Sequence, residues 1–215
     1  MTAKAAEFRL YEALRWDPAH GYWLLAEHLH RLARSAAFFG LVIDLDRIAT
    51  ALLDYSDALT AATKVRLEVP SDGAPLIETA PLKPSVPVTL ALAAMPVRRD
   101  DVFLRHKTSR RAVYNEARRA RPWADDVILY NERGELTEST SSNLVLEIDG
   151  RELTPHDDAG LLPGTYREHL LARGVLHKAR LTTADLPRAT RLWTINSVRG
   201  RCLGTWVTME TTAGQ

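Results

Sequence analysis

A single cysteine, Cys202, stands in the 215 residues. No intrachain disulfide can form, which suits a reducing cytoplasm, the compartment expected for this chain. No histidine or acidic residue lies at a spacing that would activate the thiol, so a buried structural cysteine is expected. Long hydrophobic runs are missing too. Nothing approaches the ~18 consecutive apolar residues of a membrane-crossing helix, and Met1–Glu7 has no apolar core of signal-peptide length. Nor does charge of one sign prevail: 28 Lys and Arg against 27 Asp and Glu leave a net charge of +1. No global field therefore draws in nucleic acid or an anionic membrane. The local run Arg118-Arg119-Ala120-Arg121 reads as a helix end whose cations suit the helix dipole. Repeats and low-complexity tracts are absent, and no metal site is expected.

What is present is an ordinary globular composition, 46% hydrophobic and 26% charged, long enough for one large domain or two small ones around real cores. Phe8–Arg15 and Tyr22–Leu25 read as strands around the turn Asp17–Gly21. From Ala26 the period becomes 3.6, with Leu29, Leu32, Ala33, Ala36 and Phe39 on one face and Gly40 closing the helix. A second helix starts at Asp44, with Ile48, Leu52, Tyr55 and Leu59 inward. Lys64–Val69, Pro75–Thr79 and Val86–Leu92 follow as strands, the first two joined by a turn at Ser71-Asp72-Gly73. Residues 96–104 read as a linker, dividing an N-terminal α/β domain (1–95) from a C-terminal domain (105–215). In the latter, a helix is expected over Ser109–Arg119. Strands are expected at Val127–Tyr130, Leu136–Glu138, Asn143–Ile148 and Arg151–Thr154, the last pair around Asp149-Gly150. A helix Gly164–Arg173 and strands Arg191–Ile195 and Leu203–Val207 complete the chain. The fold class is α+β, in two domains with mixed sheets.

Lys107 stands in Phe-Leu-Arg-His-Lys-Thr-Ser-Arg-Arg. Thirty-one residues on comes Glu138-Ser-Thr-Ser-Ser-Asn143, then Leu162-Pro-Gly-Thr-Tyr-Arg167, then Asn196-Ser197. This spacing resembles the class IV (fold-type IV) pyridoxal-phosphate family of aminotransferases and aminodeoxychorismate lyases. Glu138, Thr140, Asn143, Leu144, Thr154, Leu162, Gly164 and Arg167 match the family pattern, with single departures at Val145, Glu152 and Thr165. His28-Leu-His-Arg31-Leu-Ala-Arg-Ser35 is similar to the family's His-x-x-Arg-Leu-x-x-Ser helix.

The resemblance implies pyridoxal 5′-phosphate as cofactor and a role for each residue. Lys107 would bond the aldehyde and move the substrate proton, its amine kept neutral by burial and by neighbouring Arg105, His106, Arg110 and Arg111. Glu138 would hold the ring nitrogen protonated. Gly164, Thr165 and Tyr166, at a helix start, would take the phosphate together with Asn196, Ser197 and Arg31. Tyr114, two helical turns after Lys107, would contact the ring hydroxyl. Arg110, Arg111 and Arg199 are the candidates to pair with a small carboxylate substrate.

Within the family the chain is most similar to aminodeoxychorismate lyases of the type fused to aminobenzoate synthase. Phe8–Pro18, His106–Tyr114 and Trp193–Gly200 carry that likeness, and the segment that precedes the first strand in many relatives is short. The implied reaction is elimination of 4-amino-4-deoxychorismate to 4-aminobenzoate and pyruvate, in the folate pathway. The alternative is transamination of branched-chain or D-amino acids with a 2-oxo acid. A homodimer and a functional link to aminobenzoate synthase are the implied associations.

Overall fold

The computed structural model describes residues 8–70 and 73–208. Two sheets organise the chain. In the first, with order β2-β1-β3-β4, β1 (Leu10–Asp17) pairs antiparallel with β2 (Gly21–Tyr22) and with β3 (Thr63–Val69), and β3 pairs antiparallel with β4 (Leu76–Pro81). Strand alternation gives this sheet two unlike faces. Leu10, Leu14 and Trp16 of β1, with Val65, Leu67 and Val69 of β3, pack under the helices α1 (Leu25–Phe39) and α2 (Leu45–Ser56). Tyr11, Ala13, Lys64 and Arg66 point the other way, into a cavity. Gly40 ends α1 at φ 66°, and the Asp44 carboxylate caps α2 by accepting from Arg47 N–H at 3.0 Å.

The second sheet has eight strands, in the order β10-β9-β8-β11-β12-β5-β6-β7. They are β5 (Val88–Leu92), β6 (Asp126–Tyr130), β7 (Leu136–Ser139), β8 (Asn143–Ile148), β9 (Arg151–Pro155), β10 (His177–Ala179), β11 (Arg191–Asn196) and β12 (Gly200–Trp206). The β5–β6, β12–β5 and β9–β10 pairs are parallel and the rest antiparallel. Asp149 (φ 52°) and Gly150 (φ 72°) make the tight β8–β9 turn, in which both central residues need positive φ. The helices α3 (Val102–Arg105), α4 (Ala112–Ala120) and α5 (Thr165–Ala172) complete the fold.

Several expectations shift. β5 was assigned to the N-terminal half, yet it lies between β12 and β6, so the sheets divide between β4 and β5 rather than at residue 95. The expected linker holds α3 and a bridge from Val97 to Asn131. The strand expected to reach Leu25 stops at Tyr22, because Leu24 turns left-handed (φ 58°) and α1 begins at once. Helix α4 starts at Ala112, three residues late. Of the turn expected at 71–73, residues 71 and 72 lie outside the described residues, as do Met1–Glu7 with Lys4. Among the described residues no helix is long and apolar enough to cross a membrane.

Candidate active site

Residues 107–109 lie beside the start of β1 as a short antiparallel piece. Leu10 bridges Thr108. Tyr11 N–H donates to the Lys107 carbonyl at 3.1 Å, and Ser109 N–H donates to the Arg9 carbonyl at 2.8 Å. Lys107 is thus fastened to the first sheet while the chain continues into the second. Its ammonium lies 4.6 Å from the centroid of the Tyr11 ring. Burial lowers its pKa, and Arg31 and Arg111 lower it further, against Tyr11 and Glu12. Of the cations expected from sequence to do this, only Arg111 takes part. Arg105 bonds the carbonyls of Asp157 and Arg99. His106 stacks on Phe38 at 4.3 Å and bonds Ser35. Arg110 lies over the Phe103 ring at 4.6 Å.

Glu138, near the end of β7, is buried. Its Oε1 accepts from the Tyr114 hydroxyl at 2.9 Å and from Leu162 N–H at 3.2 Å. Oε2 has only a 3.5 Å contact from Asn143 Nδ2. Burial raises the carboxyl to about 7, against the pull of those hydrogen bonds, Lys107 and Arg111. One oxygen of a buried carboxylate is therefore left almost without a donor. Tyr114, pushed well above its usual pKa by burial and by Glu138, stays a neutral donor. It reaches the site from α4, a helix that Lys107 does not belong to, so a shared helical face is not what brings the two together.

Gly164 at the cap of α5, Thr165, Ser197 and Arg31 line the same cavity. A Cβ on Gly164 would fall 2.0 Å from Asn143 Oδ1, so only glycine allows that asparagine to sit here. Asn143 in turn donates to the Leu162 carbonyl at 2.8 Å, holding the turn before α5. Arg31 is gripped by the buried Glu12: Nε donates to Oε1 at 2.9 Å, and an Nη also bonds Oε2. His28 Nδ1 lies 2.7 Å from the same carboxylate, and its Nε2 lies 3.3 Å from Thr165 Oγ1. Burial raises Glu12, but Arg31 and His28 outweigh it and hold the carboxyl at about 2.

One cavity of about 460 Å³ lies between the two sheets, and Glu12 and His28 are not among the residues that line it. Lys107, Glu138, Tyr114, Arg31, Gly164, Thr165, Asn196, Ser197, Arg111 and Arg199 all face it; Arg110 and Tyr166 do not. The Tyr166 ring packs on Trp23 at 4.8 Å, and the motif's Arg167 is wholly buried, tying α5 to Thr154 and Pro155. Sequence reasoning missed Tyr11, Lys64, Arg66 and Lys83 as cavity residues. Tyr11 accepts from Arg111 at 3.0 Å and lies under Arg66 at 4.3 Å. Burial raises its pKa, but Lys107, Arg111 and Arg66 outweigh this and leave the phenol below its usual value. The polar alternation of Lys64 and Arg66 along β3 was the available signal.

Glu138 gives the cofactor-free protein a measurable pH dependence. Its carboxyl titrates near 7 in the fold against 4.5 in the unfolded chain. Between those values the folded state holds a proton that the unfolded state has lost, so this contribution is full below pH 4.5 and fades as pH rises through 7. The size is about 3 kcal/mol, an order of magnitude only. In urea unfolding of the cofactor-free protein, wild type minus Glu138→Gln should fall by that amount between pH 5 and 8. A flat difference would mean that Glu138 is already ionised at pH 5.

The model of the class IV amino-transferase family matches residues 9–202. A Schizosaccharomyces pombe protein described as a "putative aminodeoxychorismate lyase" is 30% identical over 208 residues, covering 92% of this chain and 89% of that one. The crystal structure of a "putative amino-acid aminotransferase" from Mesorhizobium loti superposes with a TM-score of 0.88 at 37% identity, over 94% of this chain and 100% of that one. A hypothetical aminotransferase from Mycobacterium tuberculosis in its PLP-bound form gives a TM-score of 0.77 at 23% identity, over 92% and 81% of the two chains. That last likeness is one of fold.

Proposed function

The chain belongs to the class IV aminotransferase family, with the fold-type IV architecture of these pyridoxal-phosphate-dependent enzymes, and from that premise we propose that it binds pyridoxal 5′-phosphate in this cavity and eliminates pyruvate from 4-amino-4-deoxychorismate. The residues fit the cofactor. The α5 N-terminus, Thr165, Ser197 and Arg31 offer N–H, hydroxyl and guanidinium groups to a phosphate dianion. The spare oxygen of Glu138 suits a protonated pyridine nitrogen, and Lys107 supplies an amine whose neutral form burial favours. Bound there, the cofactor would supply an aldehyde and a ring able to accept negative charge from the substrate.

Lys107 Nζ takes the proton from the substrate carbon that bears the amino group. Glu138, its Oε1 held by Tyr114 and Leu162 N–H, would offer its other oxygen to the ring nitrogen and keep a proton there. The bond between the ring carbon and the enolpyruvyl oxygen would then break, its electron pair leaving with the oxygen, and the released enolate would take a proton on its methylene carbon to give pyruvate. Arg111, held by Tyr11 and the Thr140 carbonyl, is a fixed cation for a substrate carboxylate. The observation that carries this reading is the cavity's charge: apart from Lys107, six arginine and lysine side chains line it against one carboxylate, and only Arg31 and Arg66 are paired with acids, Glu12 and Glu68. A phosphate takes up only part of that excess, and 4-amino-4-deoxychorismate brings two carboxylates. The likeness to the Schizosaccharomyces protein over nine-tenths of both chains points to the same chemistry.

Transamination of branched-chain or D-amino acids is the second reading, favoured by the Mesorhizobium likeness. The two part on stoichiometry. With 4-amino-4-deoxychorismate made enzymatically by aminobenzoate synthase, one pyruvate should form per 4-aminobenzoate, with no 2-oxo acid added. Turnover of amino acids only when 2-oxoglutarate is present, and none of aminodeoxychorismate, would establish the second reading.

A homodimer forms part of the proposal. Exposed Phe38 and Val42, at the end of α1 and just after it, would be covered by it, and so would Met95. Sedimentation at micromolar concentration should give twice the 24.0 kDa chain mass; an active monomer would contradict it.

A further inference from the structure

Four of the seven cavity cations are engaged. Lys107 faces Tyr11, Arg31 is held by Glu12, Arg66 bonds Glu68, and Arg111 bonds Tyr11 and Thr140. The side chains of Lys64, Lys83 and Arg199 have no hydrogen bond or ion pair among the described residues. They come from three separate places: β3, the connection from β4 to β5, and the turn between β11 and β12. Unrelated surface charges would not be expected to meet on one cavity wall with no carboxylate among them, because like charges there raise each other's energy. Register gives the distance of Lys64 from the reactive lysine. Tyr11, under the Lys107 ammonium, pairs with Glu68, whereas Lys64 pairs with Arg15 four positions further along β1. At about 3.3 Å per residue this sets the Lys64 backbone roughly 13 Å from the Tyr11 level. A backbone separation of that size leaves room for a small ring between the two lysines.

We propose that Lys64, Lys83 and Arg199 form an anion subsite at the outer end of the cavity, taking a second carboxylate and so selecting dianionic substrates. This rests on reading the cavity as a cofactor and substrate cleft. Its chemistry, oxyanion binding, has two possible sources: a substrate carboxylate or the cofactor phosphate.

The test uses the cofactor-loaded enzyme and two unreactive probes, benzoate and benzene-1,3-dicarboxylate, with binding followed by calorimetry. The dicarboxylate should bind at least about ten-fold more tightly to wild type. In the Lys64→Gln/Lys83→Gln/Arg199→Gln variant that ratio should collapse to within about two-fold, with benzoate affinity little changed. Arg110→Gln removes a charge outside the cavity and should leave the ratio as in wild type. A ratio still near ten in the triple variant overturns the subsite, and so does an equal fall in the Arg110 control. Cofactor titration by absorbance separates the sources: a ten-fold loss of pyridoxal-phosphate affinity in the triple variant assigns these cations to the phosphate and overturns the proposal. If wild type takes up no cofactor at all, it is the proposed function that fails.

Discussion

Replacing Lys107 by alanine should lower turnover by at least about a thousand-fold, since the substrate proton would have no base to receive it. Cofactor-loaded wild type, reduced with borohydride and digested, should carry a pyridoxyl group on Lys107. The competition is real, because Lys64 and Lys83 line the same cavity. Lys178 is excluded by its place on β10, outside the cavity lining, and by its 2.5 Å bond to Asp157. Lys107 differs in being fastened by backbone hydrogen bonds beside Tyr11 and in having its amine form favoured by burial. Lys83 is exposed, and Lys64 lies four strand positions away. A pyridoxyl label on Lys64 or Lys83 would mean that the reactive centre lies towards the cavity mouth and that Glu138 is not part of it.

What was legible in the sequence follows a physical division. Periodicity located almost every strand and helix, because alternation and the 3.6-residue repeat are local. It did not assign β5 to its sheet: Val88–Leu92 reads as a strand in either half, and its parallel partner β12 lies more than a hundred residues on. The family spacing located Lys107, Glu138 and Gly164, which the fold does bring to one cavity. It did not extend to Tyr166, because helical rotation turns that side chain out of the cavity and onto Trp23. Arg110 and Arg111 show the same effect, one over Phe103 and the other on Tyr11. Glu12 was legible in principle: it shares a core face with Leu10, Leu14 and Trp16, where a carboxylate requires buried hydrogen-bond donors. The family helix already contained both of them, His28 and Arg31. Tyr114 lines the cavity without the helical phasing expected of it, since α4 begins after the residues that would have phased it with Lys107.

Glu138 and Arg31 should fail in different ways when replaced. Glu138→Gln keeps an acceptor for Tyr114 and Leu162 but can hold no charge against a protonated ring. Turnover should fall by about 10²- to 10³-fold, the usual loss when one electrostatic stabiliser of a transition state is removed, while the cofactor dissociation constant changes little. Arg31→Ala should do the reverse. A charge-assisted hydrogen bond to phosphate is lost, and cofactor affinity should fall by about ten-fold or more. Arg31→Ala also strips Glu12 of its main counter-ion, and a buried unpaired carboxylate destabilises the fold whatever the ligand. The double variant Glu12→Gln/Arg31→Gln removes both charges and isolates the binding effect. If it binds cofactor as wild type does, Arg31 serves only to hold Glu12. Absorbance titration gives affinity and steady-state assay gives turnover for each variant. An equal loss of both quantities in Glu138→Gln and in the double variant would show that Glu138 and Arg31 do not divide the work of binding and of chemistry.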